Sequence, residues 1–173
     1  MNKDVKAGTL VFKPRARLIK TIGEELISDD KVAIIELVKN SYDAYSSLYN
    51  GDPIVDIVFQ GNVETCTDTS GSRKYIISKK GASIIIYDEG VGMDFNTIEH
   101  AWMEPATNFK KLKENQDPQK KYSGEKGIGR FASAKLASKL ELVTRREGED
   151  EIVVFFDWNM FSNEEDYLDD VKI

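Results

Sequence analysis

Residues 34–44 read IIELVKNSYDA, and the fold turns on how that stretch is understood. An α-helix rotates by about 100° per residue, so Glu36, Asn40 and Asp43 fall within a wedge of roughly 60°, stacked over two turns. Ile34, Ile35, Leu37, Val38, Tyr42 and Tyr45 occupy most of the remaining circumference, while Lys31 and Lys39 reach solvent on flexible stems. The stretch is a packing helix with one narrow polar strip. A solvated face is the plain explanation, because an amphipathic helix needs a wet side. Two features stand against it: the strip holds no Lys or Arg, and the small Ala33 and Ala44 flank it. Its chemistry suits a hydrated cation and a reacting water, with Asn40 as an uncharged oxygen ligand, Glu36 as a base and Asp43 as an acceptor.

Working outward, SDDK (28–31) supplies cap-type residues and early negative charge, and NGDP (50–53) supplies the break. The helix is expected from about Asp30 to about Leu48. Upstream, ARLIKTIGEEL (16–26) has helical spacing interrupted by Gly23, and TLVFK (9–13) reads as a short strand stopped by Pro14. Downstream, IVDIVFQ (54–60) alternates and is β-branched, GNVETCTDTSGSR (61–73) reads as a polar loop or hairpin tip, and KYIIS (74–78) and SIIIYD (83–88) read as strands paired across KKGA. DFNTIEHAWM (94–103) is a predicted helix. Residues 104–126 form a lysine-rich stretch without periodicity, of the kind that serves as a functional loop. RFASAKLASKL (130–140) has helical composition, and LELVT and EIVVFFDW follow as strands around the turn RREGED. The interleaving predicts an α+β fold, a two-layer α/β sandwich with a mixed, mostly antiparallel sheet and helices on one face.

The bulk properties set limits. A chain of 173 residues suits one domain, and 40% hydrophobic with 31% charged residues is an ordinary globular balance. A net charge of −6 gives no electrostatic case for nucleic-acid binding by this segment. No apolar run approaches a membrane span, and the lone Cys66 forms no internal disulfide and suggests no zinc site. The expectation is a cytoplasmic protein without membrane contact.

Two glycine-rich loops carry the remaining chemistry. In YDEGVGMD (87–94), Gly90 and Gly92 let the backbone bend and approach a ligand, and Asp88 at the strand end can accept from an amino group. An ordinary turn is the alternative; an EF-hand fails because the third and fifth positions are glycines and the sixth is Met93. In SGEKGIGRFA (123–132), Gly124, Gly127 and Gly129 let amide N–H groups converge on an anion, with Lys126 and Arg130 adding positive charge. A dinucleotide site is disfavoured because GIGRFA follows a polar stretch, not a strand.

Taken together and in this order, ELVKNSYDA, DEGVGM and GEKGIGRFASAKLA resemble the N box and two glycine boxes of the GHKL superfamily of ATPases, which includes DNA gyrase B subunits, heat-shock chaperones, sensor histidine kinases and MutL proteins. The resemblance spans roughly residues 16–145 and is nearest to bacterial chaperone-type and MORC-type ATP-binding proteins. It implies the Bergerat ATP-binding fold and assigns roles by position. Glu36 matches the general base, Asn40 the magnesium ligand that also touches phosphate, and Asp43 an acidic residue supporting the pocket. Asp88 matches the acceptor of the adenine amino group, with Gly90, Gly92 and Met93 around the base. Gly124, Lys126, Gly127, Ile128, Gly129, Arg130 and Phe131 match the phosphate cradle, 104–126 the ATP lid, and Lys110 in ATNFKK (106–111) a phosphate contact.

The resemblance further implies magnesium-dependent hydrolysis of ATP to ADP and phosphate, driving a conformational or dimerisation switch, with an ATP-dependent homodimer through the N-terminal region. Family members usually place an adenine-contacting threonine after a glycine on a late strand. No Gly-Thr pair follows residue 144; Thr144 could substitute for that threonine but reads more simply as a strand residue, and the chain is expected to be the N-terminal piece of a longer protein, whose other domains would carry any nucleic-acid contact. Two alternatives stay open. One is a histidine kinase domain, disfavoured by a single misplaced His100 and by Asp43. The other is a nucleotide-gated interaction module with little turnover.

Overall fold

The computed structural model describes residues 9, 11–45, 51–67, 69–71, 73–77, 81–107, 122–123 and 127–173. The chain is α+β. Helix α1 spans Arg17–Glu24 and α2 spans Asp30–Asp43. Strands β1 (Val55–Gln60), β2 (Val63–Thr67), β3 (Arg73–Ile77) and β4 (Ser83–Asp88) follow. Helix α3 (Phe95–Thr97) runs into a π-helical turn, Ile98–Trp102. A 3-10 turn, Gly129–Ala132, leads into α4 (Ser133–Leu136), then β5 (Lys139–Thr144) and β6 (Ile152–Asp157).

Helix α2 begins where the cap residues predicted: Asp29 is extended and its side chain accepts from the Val32 N–H at 2.9 Å. It ends at Asp43 with Ala44 as its C-cap, earlier than Leu48, and residues 46–50 lie outside the described set. Among the described residues the strands pair as three antiparallel ladders, β1–β4, β2–β3 and β5–β6, in keeping with the mostly antiparallel α+β fold expected. KYIIS does not pair with SIIIYD among the described residues. β4 pairs instead with β1, from Val55↔Asp88 to Gln60↔Ser83, and β2–β3 is nested between them. The segment 61–73, read as a polar loop or hairpin tip, contains β2 and opens β3, so the hairpin is the reading that holds; its β-branched Val63, Thr65 and Thr67 stand in sequence among polar neighbours that hid the strand.

Two further expectations are corrected. The helix predicted over 130–140 stops at Leu136. Ala137 is extended, and the Trp158 N–H donates to the Ser138 carbonyl at 2.9 Å, so pairing with β6 overrides helical composition. Among the described residues of TLVFK there is no strand. Pro14 and Ala16 bond instead to Leu168 and Asp166, Arg15 forms an isolated bridge with Tyr167, and Phe12 is fully exposed.

The main core joins Ala16, just before α1, and Ile19 of α1 with Phe131 and Ala134, and with Phe156, Trp158 and Phe161. Phe156 stacks on Trp158 at 5.4 Å between centroids, and Phe131 meets Trp158 edge-on at 6.4 Å. A smaller cluster sets Ala33 of α2 against Ala132 and Ile27. Helix α2 also packs on β1 and β4, and α4 on β5.

Candidate functional site

The polar strip of α2 is not its wet face. Asp43 is 6% exposed, whereas Ile35 and Tyr42 on other faces are each 51% exposed. A carboxylate is moved out of water only where hydrogen-bond donors meet it, and the Ser123 N–H, at the start of the second glycine loop, donates to Asp43 Oδ1 at 2.9 Å. One turn back, Asn40 is half-buried. At Glu36, Oε1 accepts from Lys39 Nζ at 2.8 Å, so Lys39 folds back onto the strip. The other oxygen lies against Gly129, where a Cβ would come within 2.7 Å of Oε2. A side chain at 129 would displace that carboxylate, which gives the second loop a reason for glycine there.

The end of α2 meets the first glycine loop. The Val91 N–H donates to the Ala44 carbonyl at 2.9 Å. Asp88, half-buried at the end of β4, accepts from the Gly90 N–H at 3.0 Å. Tyr45, 4% exposed, binds both strand ends through its hydroxyl, donating to the Ile54 carbonyl at 2.6 Å and accepting from the Glu89 N–H at 3.2 Å. Gly92 has φ +68°, the left-handed region that side chains avoid, and a Cβ there would lie 2.0 Å from the Arg145 carbonyl oxygen.

The second loop is held by packing as well as by polar contacts. Gly127, at φ +65°, lies beside Ala106 and Thr107, so the first residues of ATNFKK adjoin it. Burial lowers the Arg130 pKa to about 10, which leaves it charged at neutral pH, and its guanidinium donates to the Ala101 carbonyl in the π-helical turn. Phe131 is 4% exposed within the aromatic core, and its N–H donates to the Ile128 carbonyl at 3.0 Å. It anchors the loop to that core. Lys110, Gly124 and Lys126 lie outside the described residues, as does most of 104–126.

Helix α2 therefore adjoins both glycine loops, bringing Glu36, Asn40, Asp43, Gly90 and Gly129 onto one element and its neighbours. Two cavities lie elsewhere. One of about 270 Å³ is lined by Lys20, Glu24 and Lys135 among others. The other, about 150 Å³, is lined by Trp102, Phe131 and Trp158 among others. Neither borders Glu36 or Asp88. Sequence reasoning passed over Tyr45, taken as one more apolar position, and preferred a plain strand residue at Thr144; neither has a local signal for its partner, which lies 44 or 51 residues away. Among the described residues, no helix is long and apolar enough to cross a membrane.

Comparison with known proteins adds an independent line. The family of histidine kinase-, DNA gyrase B- and HSP90-like ATPases matches residues 27–172. Similar proteins include the chaperone protein HtpG of Geobacter metallireducens, 30% identical over 142 residues, covering 78% of this chain and 21% of that protein. The chaperone protein HtpG of Ruthia magnifica is 29% identical over 141 residues, covering 77% of this chain and 21% of that protein. The HtpG of Geobacter sulfurreducens is 28% identical over 142 residues, covering 78% and 21%. The chain thus spans about a fifth of the length of these relatives.

Proposed function

Since the chain belongs to the histidine kinase-, DNA gyrase B- and HSP90-like ATPases, we propose that it binds ATP with magnesium between the two glycine loops and hydrolyses it to ADP and phosphate. The observation that carries this reading is the inward-facing strip, with Asp43 buried on the second loop and Glu36 against Gly129. Asp88 accepts the adenine amino group beside Gly90, Gly92 and Met93. Gly124, Lys126, Gly127, Ile128, Gly129 and Arg130 surround the phosphates, joined by Lys110 from the lid.

Among the described residues no cluster of His, Cys, Asp and Glu side chains suits a metal ion. The donor on offer is the Asn40 amide oxygen, which fits magnesium, an ion that keeps several waters and binds largely through substrate phosphates. Held there by Asn40, the ion would neutralise negative charge that develops on the phosphates during transfer. Glu36 accepts a proton from the attacking water as the bond to the terminal phosphorus forms and the bond to the ADP oxygen breaks. Lys39 holds one carboxylate oxygen and Gly129 closes over the other, so Glu36 is oriented before substrate arrives.

By analogy with the HtpG relatives, turnover serves a chaperone-type conformational switch. The exposed Val11 and Phe12 support ATP-dependent pairing of two copies through the N-terminal region. The test is Glu36→Ala, which should keep ATP binding and lower phosphate release by about 10²-fold or more. Release at the wild-type rate would show that Glu36 is not the base.

A further inference from the structure

The exit of β5 lies against the first glycine loop over consecutive residues on both sides. The Met93 N–H donates to Thr144 Oγ1 at 2.9 Å. The Arg145 carbonyl presses on Gly92, whose φ of +68° leaves no room for a Cβ. The Arg146 guanidinium pairs with Asp94, and Asp94 at the same time accepts from the Thr97 N–H at 2.7 Å to cap α3. These contacts pair 93 with 144, 92 with 145 and 94 with 146. Such an alignment fixes the loop's backbone torsions from outside, because the loop's own sequence, rich in glycine, does not fix them.

We propose that Thr144, backed by Arg145 and Arg146, is a positioning clamp that presets the Gly92–Met93 turn for the nucleotide base. This rests on the assignment of that turn to the base under the proposed function. A threonine at a strand end invites the view that its methyl group packs and its hydroxyl is incidental. Here the hydroxyl oxygen accepts the one N–H of Met93, and valine in the same space would leave that donor without its partner. Thr144 therefore acts through the loop and not on the reacting phosphate. Its loss should appear in affinity and not in the chemical step.

The experiment compares Thr144→Val and Thr144→Ser with wild type in three readouts: hydrogen exchange of the Met93 amide without nucleotide, affinity for a non-hydrolysable ATP analogue with magnesium, and kcat at saturating ATP. In Thr144→Val, Met93 exchange should quicken about tenfold and affinity should fall about tenfold, the loss expected for one hydrogen bond. Its kcat should stay within about twofold, and Thr144→Ser should restore exchange and affinity. Unchanged exchange in Thr144→Val, a fall in kcat without a fall in affinity, or failure of serine to rescue would overturn the clamp. If wild type binds no ATP analogue, the functional assignment fails, and the nucleotide-free exchange comparison still decides for or against the clamp.

Discussion

The two glycine loops are held by different physics. The second is rooted in the core: Phe131, Ala132, Ser133 and Ala134 are all buried, and the Phe131 ring meets Trp158 edge-on. The first has little apolar footing, with Val91 50% and Phe95 66% exposed and Ile84 and Ile85 of the preceding strand about 40% exposed. It is held by directed bonds: Val91 to Ala44, Glu89 to Tyr45, Met93 to Thr144 and Asp94 to Arg146. A loop fixed by packing should tolerate changes in polar contacts and fail when its core is hollowed. A loop fixed by directed bonds should do the reverse.

The largest expected effect comes from hollowing the core. Trp158→Ala removes a side chain 2% exposed that touches Phe131, Phe156 and Phe161, and should cost about 3–5 kcal/mol in urea unfolding. A loss below about 1 kcal/mol would mean that the second loop does not depend on this core. Next comes Gly92→Ala, which meets both the left-handed φ and the Arg145 oxygen. It should cost about 1–3 kcal/mol and weaken ATP-analogue binding well beyond that seen for a surface change, measured by calorimetry. Tolerance of alanine there would show that the first loop is not tightly set.

The smallest effect is a pH dependence. Hydrogen bonds from the Thr97 side chain and then its backbone N–H, with Arg146 behind them, hold the Asp94 carboxyl below its ordinary range. A depressed carboxyl contributes its stability in full above the ordinary carboxylate range and loses it as pH falls through the lowered value. Solvent screens this surface pair, so the change should be slight. Protection of the Thr97 amide, taken relative to its intrinsic exchange rate at each pH, should fall in acid in wild type and lose that acid dependence in Asp94→Asn. An identical acid profile in both would remove Asp94 from the loop's support.

Much of this was legible in the sequence because it rests on short-range geometry. The spacing of Glu36, Asn40 and Asp43 is a property of one helix, the Asp29 cap lies within three residues of its partner, and β1 and β4 announce themselves by β-branched alternation. What was missed depends on distant partners. Residues 137–140 share the helical composition of the segment before them, but Lys139 and Leu140 pair with Asp157 and Phe156 of β6. Gly23, which weakened the prediction of α1, lets that helix approach the second loop, since a Cβ there would stand 2.3 Å from the Phe131 carbonyl oxygen. The burial of Asp43, which separates a site from a wet face, comes from Ser123, 80 residues along the chain.

The most direct measurement is calorimetric titration of a non-hydrolysable ATP analogue with magnesium into wild type, Glu36→Ala and Asp88→Asn. Saturable binding to wild type and Glu36→Ala, weakened at least about tenfold in Asp88→Asn, is expected if the strip of α2 and both loops serve one nucleotide. Equal binding to Asp88→Asn, or no binding to wild type, would contradict the shared site.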